Sequence, residues 1–364
     1  MVDPWQFQIK DGRQLTIRPV RPDDVRDLYE AARHPDVART LALHPAMELA
    51  ATKAFINEAP PGRHYLVAEV GERAVGSVTL NHVQRPRLQH TGVIGLMVGR
   101  EHWGQGIGGF LMEVALEIAD NWLNLSRLEL AVFAQNPAAI HLYEKFGFEK
   151  EGLRRCHTYG DGGWLDSYLM ARLRNVDTIS EQRAAESALP EQERKSSSAG
   201  GRQPLIRPPQ PDDTEDLHNL YSNPLVARTT LQMPSQEISL SRRRMEQHPP
   251  GLYRLVAEMD GRVIGSISLH QEQNPRVRHA AGLGMGVHPD YWGQGVGNAL
   301  MLAILDLADN WLNLMRLELD VNVDNVAGVR LYLKHGFEIE GTRRYHAYGD
   351  GRWADSYFMG RLRG

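Results

Sequence analysis

Two nearly identical strings carry the clearest chemistry in the chain: Trp103-Gly104-Gln105-Gly106-Ile107-Gly108-Gly109 and Trp292-Gly293-Gln294-Gly295-Val296-Gly297-Asn298. The first follows a strand-like run ending at Val98 and precedes apolar residues at Phe110, Leu111, Val114, Ala115 and Ile118, a helical spacing. Glycines there let the backbone turn tightly and aim several amides at one anion. A helix N-terminus adds its dipole, so phosphate is the favoured guest. Neither string supplies the Lys that a Walker loop needs after its glycines. A dinucleotide fingerprint belongs in a first βαβ unit, whereas these strings sit past the middle of their repeats, after an antiparallel hairpin.

A second pair of strings follows: Asn136-Pro137-Ala138-Ala139-Ile140-His141-Leu142-Tyr143 with Phe146-Gly147-Phe148, and Asn325 to Phe337. With the glycine turns they resemble the GNAT superfamily of N-acetyltransferases, in which an Arg/Gln-x-x-Gly-x-Gly/Ala turn precedes an Asn-x-x-Ala-x-x-Leu-Tyr-x-x-x-Gly-Phe helix. The resemblance covers Ile17 to Arg174 and Ile206 to Arg363. Trp103 and Trp292 depart from it, at the usual Arg/Gln position. The strings RPRLQH, ADNWLNLSRLEL and YGDGGWLDSYLMARL look, more narrowly, like bacterial L-amino-acid N-acetyltransferases of that superfamily.

The resemblance implies acetyl-CoA as cosubstrate, its pyrophosphate on the amides of Gly104, Gln105, Gly106, Ile107, Gly108 and Gly109, and of Gly293, Gln294, Gly295, Val296, Gly297 and Asn298. The pantetheine arm would pair with the backbone of Leu96, Met97 and Val98, and of Met285, Gly286 and Val287. Tyr143 and Tyr332 match the tyrosine beside the departing sulfur, where a phenol donates a hydrogen bond or a proton. Asn136 and Asn325 either bond the pantetheine or cap the following helix. Several groups compete as the base that frees the amine. Asp320 stands where some relatives carry a carboxylate, opposite Ala131 in the other repeat; Glu129 and Glu318 occur in both repeats, with a cross-strand salt bridge as the other reading. His90 and His279 offer an imidazole of suitable pKa, or are simply loop histidines. Arg85 and Arg87 are candidates for a substrate carboxylate, while Asp166 and Asp355 either line the acceptor pocket or close the sheet.

These residues recur because the chain is one unit written twice. Trp292 minus Trp103 is 189, and the same offset relates Ile17-Arg18-Pro19 to Ile206-Arg207-Pro208 and Tyr159-Gly160-Asp161-Gly162 to Tyr348-Gly349-Asp350-Gly351. A period this long is a duplicated globular domain rather than a solenoid. The expected division is a domain at 1–174, a polar linker at 175–204 and a domain at 205–364. In the first repeat the pattern predicts strands at Leu15–Val20, His64–Val70, Arg73–Leu80, Thr91–Val98, Arg127–Phe133, Phe148–His157 and Trp164–Arg172. Helices are expected from Pro22, over Met47–Asn57, over Gly108–Leu123 and over Ala138–Phe146. The fold class is therefore α/β or α+β, two tandem domains, each a mixed, mainly antiparallel sheet flanked by helices, with the domains expected to pair as a pseudo-dimer.

Composition bounds the rest. The 364 residues carry a formal net charge of −4 and one cysteine, Cys156, which faces Tyr345 across the repeat, so no thiol mechanism can operate in both halves. Cysteine-rich metal sites are excluded, no metal is expected, and the start of the chain shows no signal peptide, which points to the cytoplasm. No apolar run reaches the ~18 residues of a membrane span, and no basic stripe suggests nucleic acid. The expected function is acetyl transfer from acetyl-CoA to the primary amine of a small molecule, such as a free amino acid. The alternatives are a peptide or protein amine acetyltransferase, or an acyl-CoA-binding protein with one or both halves non-catalytic; a higher oligomer is left open.

Overall fold

The structure, a computed structural model, describes residues 5–174 and 203–363; all but the last two residues of the expected linker lie outside them. The chain divides into two compact units, Met1–Val176 and Asp177–Gly364. Among the described residues no helix is long and apolar enough to cross a membrane.

In the first unit the strands are β1 (Trp5–Gln8), β2 (Gln14–Pro19), β3 (Arg63–Val70), β4 (Arg73–His82), β5 (Thr91–Val98), β6 (Arg127–Phe133), β7 (Glu149–Gly160) and β8 (Gly163–Leu173). They lie in the order β1-β2-β3-β4-β5-β6-β8-β7. Every pairing is antiparallel except β5 with β6. Helix α1 (Val25–Arg33) and helix α3 (Leu49–Asn57) place Leu28 and Ile56 against Val67 and Ala74 on one face of the sheet. Helix α4 (Ile107–Glu117) and helix α5 (Pro137–Lys145) belong to the main core, where Leu111, Met112, Val114, Ala115 and Ile140 meet Leu66, Val78, Leu80, Leu128 and Leu130. Alternation along the strands sends successive side chains to these two layers.

Two elements were not expected from the pattern. β1 is four residues pairing with β2 at the sheet edge, and α2 (Pro35–Thr40) is a short helix with Pro at its start and the His34 ring accepting the Asp36 amide. The helix expected at Gly108–Leu123 starts at Ile107 and ends at Glu117, after which a wider turn carries the Leu123 amide to the Ile118 carbonyl.

The second unit repeats the plan: β9 (Leu205–Arg207), β10 (Leu252–Met259), β11 (Arg262–Gln271), β12 (Ala280–Val287), β13 (Arg316–Asn322), β14 (Glu338–Gly349) and β15 (Arg352–Leu362), ordered β14-β15-β13-β12-β11-β10-β9. Among the described residues its one parallel pair is β12 with β13. Each unit is thus the mixed, mainly antiparallel sheet with helices on both faces that the pattern led us to expect. Matching ion clusters brace the two: Arg18 with Asp24 and Glu69, and Arg207 with Asp213 and Glu258.

Candidate active site

The parallel pair is short. β5 meets β6 only at Thr91↔Arg127, Gly92↔Leu128 and Val93↔Glu129, while β5 stays paired with β4 as far as Val98. Beyond Val93 the two strands part and open a cleft of about 430 Å³, lined by Leu96, Met97, Val98, Gly104, Gly106, Ile107, Gly108, Ala131, Phe133, Asn136 and Tyr143 among others. In the second unit pairing likewise stops at Gly282↔Glu318.

The glycine turn closes the mouth of this cleft. Gly104 and Gly106 take φ of 78° and 90°, left-handed conformations that a side chain disfavours, and Gly106 leads directly into α4. No described residue accepts the amides of Gly104, Gln105, Gly106, Ile107 or Gly108, which leaves five backbone donors at a helix N-terminus for a ligand. The Gly109 amide leaves this set, because it donates to the Gly106 carbonyl at 2.9 Å. In the second unit Gln294 donates to the Tyr291 carbonyl at 3.4 Å, and the Asn298 side chain accepts from Lys334 at 2.7 Å. Trp103 and Trp292, which depart from the family pattern, have a structural use: each indole donates to the carbonyl of Val98 or Val287 at 2.7 Å and ties the turn to the strand end.

Strand alternation decides which backbone groups face the gap. Met97 pairs with Ser77 and the Gly99 amide donates to Val75, so odd-numbered β5 residues turn their polar groups to β4. Leu96 and the Val98 amide face the open side. Met97, and Gly286 opposite Ser266 in the second unit, therefore bring side-chain space rather than backbone pairing to the cleft. Met285 and Val287 take the positions of Leu96 and Val98.

Tyr143 projects from α5 into the cleft with its ring buried, 7% exposed, and no described residue pairs with its hydroxyl. Burial pushes the phenol up to about 12, so it remains a donor at neutral pH; Tyr332 is pushed up to about 12 as well, by burial and then by neighbouring Tyr221. Asn136 and Asn325 are helix caps, their side-chain oxygens accepting the amides of Ala139 at 3.2 Å and Gly328 at 3.1 Å. The cap leaves the side-chain amide of Asn136, which lines the cleft, to face a ligand.

The candidate bases fare unequally. Glu129 accepts from the buried Arg127 at 3.1 Å, and Arg127 also holds Glu151 at 2.6 Å; Arg316 binds Glu318 at 3.1 Å and Glu340 at 2.5 Å. Glu129 stands at the last paired position before the strands part and does not line the cleft, so the structure gives these two carboxylates the salt-bridge reading. His90 and His279 precede the paired end of the splay, their carbonyls accepting the amides of Arg127 and Arg316, away from the open cleft. Asp320 takes the position of the cleft-lining Ala131 but pairs with Arg343 at 3.0 Å. Asp166 and Asp355 accept the amides of Cys156 and Tyr345, fixing a bulge where both residues have positive φ. Arg87 is buried, and neither it nor Arg85 lines the cleft.

Sequence reasoning missed His157 and Ser167. Both line the cleft, with Nδ1 and Oγ 2.9 Å apart. Among the described residues no group of three or more His, Cys, Asp or Glu side chains could hold a metal ion.

A strand splay with unpartnered turn amides at its mouth and a protonated tyrosine inside has the parts that an acyltransferase needs. The acetyltransferase (GNAT) family model matches residues 24–148 and 214–337, and the chain belongs to that family; it is an N-acetyltransferase. It is 36% identical over 159 residues to the L-amino acid N-acetyltransferase AaaT of Escherichia coli (strain K12), covering 44% of this chain and 98% of that protein. To the spermidine N(1)-acetyltransferase of the same strain it is 26% identical over 156 residues, 42% of this chain and 83% of that one. An acetyltransferase of the GNAT family from Streptococcus pneumoniae, a solved structure, aligns with a TM-score of 0.40 and 30% identity over 44% of this chain and 99% of that chain.

Proposed function

We propose that each half transfers the acetyl group of acetyl-CoA directly to the primary amine of a small molecule, a free amino acid or a close relative of one. The observation that carries this reading is the cleft itself: the unpartnered turn at Gly104, Gly106, Ile107 and Gly108, the free strand edge at Leu96, and Tyr143 line one cleft. Amides at a helix N-terminus suit a pyrophosphate, and a strand edge suits an extended amide-bearing arm. The amine nitrogen attacks the thioester carbon, a C–N bond forms and the C–S bond breaks. A thiol loses its proton near pH 8.5, well below a phenol at about 12, so Tyr143 holds the departing sulfur by a hydrogen bond rather than by ionising. The amino-acid acceptor is supported by the likeness to AaaT, which extends over nearly all of that protein.

The test is release of CoA thiol by the purified chain given acetyl-CoA and a panel of amino acids, polyamines and peptides. Fastest turnover with amino acids is expected. No release with any amine would sink the reading; preference for a polyamine or a peptide would sink the acceptor class.

A further inference from the structure

We propose that the β1–β2 hairpin is a clasp on the glycine turn of the first half, fixing the Gly106 peptide through the Lys10 amide and so tightening the hold on acetyl-CoA. The inference deepens the acetyl-transfer reading and rests on it. Three contacts run in order along α4 toward the turn. Trp5 Nε1 donates to the Glu117 carboxylate at 2.9 Å, at the last residue of the helix. Phe7 stacks on Phe110, with ring centroids 4.5 Å apart and an interplanar angle of 27°. Beyond Ile9, which is 3% exposed in the main core, the Lys10 amide donates to the Gln105 carbonyl at 3.4 Å.

The last two contacts act on the turn itself. The Gln105 carbonyl and the Gly106 amide share one planar trans peptide, so they point in opposite directions. A donor from the hairpin on that carbonyl therefore turns the Gly106 amide away from the hairpin, and Gly106 lines the cleft. The Phe110 ring backs the same residue, since a Cβ on Gly106 would stand 3.6 Å from Phe110 Cε2. Phe7 covers that ring in turn. A glycine turn ordered only by its ligand loses backbone freedom on binding; one held beforehand has already lost it, and binds more tightly.

The hairpin is shaped to offer this amide. The Gly12 amide donates to the Ile9 carbonyl at 2.9 Å, neither Lys10 nor Asp11 has positive φ, and Gly12 takes φ of 87°. This is a type I turn followed by a left-handed glycine, with Lys10 at its second position, whose amide the turn does not use. The sequence does not repeat the anchors. At the offset of 189 stand Arg194, Ser196, Ser198 and Ala299 in place of Trp5, Phe7, Ile9 and Phe110.

The test uses the full chain with the second half disabled by Gly295→Val and Tyr332→Phe. In that parent, Lys10→Pro removes the amide proton at a turn position that proline suits, whereas Lys10→Ala removes the charged side chain and keeps the amide. Lys10→Pro is expected to raise the calorimetric Kd for CoA and the KM for acetyl-CoA about fivefold, the scale of one hydrogen bond, with kcat at saturation within about twofold. Lys10→Ala should leave all three within about twofold of the parent, by the same scale. A Lys10→Pro chain that binds CoA as its parent does overturns the proposal, as does a loss that falls on kcat instead of KM. An equal loss in Lys10→Ala also overturns it, because the lysine charge would then be the cause. If Lys10→Pro does not fold, hydrogen exchange of the unsubstituted chain decides: a protected Lys10 amide supports the clasp, and one exchanging as in an unfolded chain overturns it. A parent that binds no CoA removes the acetyl-CoA reading of the first half, and this proposal with it; a parent that binds CoA isolates the failure to the clasp.

Discussion

The Arg127 cluster separates a structural carboxylate from a catalytic one. The Arg127 side chain is 2% exposed and that of Glu151 3%, against 19% for Glu129. Arg127→Met removes a buried guanidinium that holds both Glu151 and Glu129, a change worth about 3–5 kcal/mol. At roughly 2–4 °C per kcal/mol for a unit of this size, melting should fall by roughly 6–20 °C. Glu129→Gln keeps the shape, leaves the paired bonds from Arg127 to Glu151 at 3.1 and 2.6 Å, and removes a charge that water partly reaches, so about 1 kcal/mol is expected. Because buried arginines hold Glu129 and Glu318, Glu129→Gln and Glu318→Gln together should leave kcat within about twofold, by the acid–base scale on which loss of a true base costs at least about 100-fold. Calorimetry on each variant and thiol release from the double variant are the measurements. A hundredfold fall in kcat at unchanged melting temperature would refute the structural assignment, as would an Arg127→Met chain that melts where the parent does.

Tyr143→Phe and Tyr332→Phe, made together, should lower kcat about 10–100-fold with little change in KM for acetyl-CoA, because the hydroxyl acts on a sulfur that gains charge only as the bond breaks. With both phenols pushed up to about 12, no basic limb from tyrosine should appear in kcat below about pH 11. Gly106→Ala at φ 90° should weaken acetyl-CoA binding, measured by titration calorimetry, with about 1–2 kcal/mol of backbone strain, while Tyr143-dependent chemistry persists at saturation. Acid stability follows from Asp213, whose carboxyl is held below its usual 3.8 by hydrogen bonds from Arg207 and the Gln210 amide. A depressed carboxylate contributes stability above its unfolded pKa and loses it as pH falls through the folded value, so Arg207→Gln should erase part of the acid-induced melting shift below pH 3.8.

How much of this was legible depends on whether a residue acts locally. β5 and β6 could be bounded to the residue, because apolar runs end at turn residues, and the glycine turn announces itself through spacing alone. Asn136 was readable only as two alternatives, since a cap and a ligand contact use different atoms of one side chain. Glu129 was readable as a base or as a salt-bridge carboxylate, because strand periodicity shows a face but not the point where β5 and β6 part. His157 and Ser167 were invisible for a related reason. Register slips between Arg154 and Thr158 on β7, where Cys156 takes φ of 49°, and only that bulge sets His157 beside a serine ten residues away on β8.

Comparison of the two halves shows which differences matter to chemistry. The bracing clusters repeat without change: Arg127 and Arg316 on their glutamates, Arg172 and Arg361 on Asp120 and Asp309, Trp103 and Trp292 on the strand end. The substitutions fall at residues that line the cleft of the first unit. Ala131 becomes Asp320, Phe133 becomes Asn322, and Met97 becomes Gly286, whose missing side chain makes room for Tyr221, since a Cβ there would meet the Tyr221 ring at 3.0 Å. Tyr221 bonds Ser266 at 2.7 Å and stands where the first half has Ala32. The turn keeps its Trp-Gly-Gln-Gly pattern and changes only at Ile107, which becomes Val296, and Gly109, which becomes Asn298, while the floor changes at three positions; on the proposed function the halves differ more toward an amine than toward a pyrophosphate. Differences in acceptor choice between the halves should therefore follow Phe133 and Asn322 rather than the glycine turn, and exchanging those two residues should shift amine preference while acetyl-CoA binding stays the same.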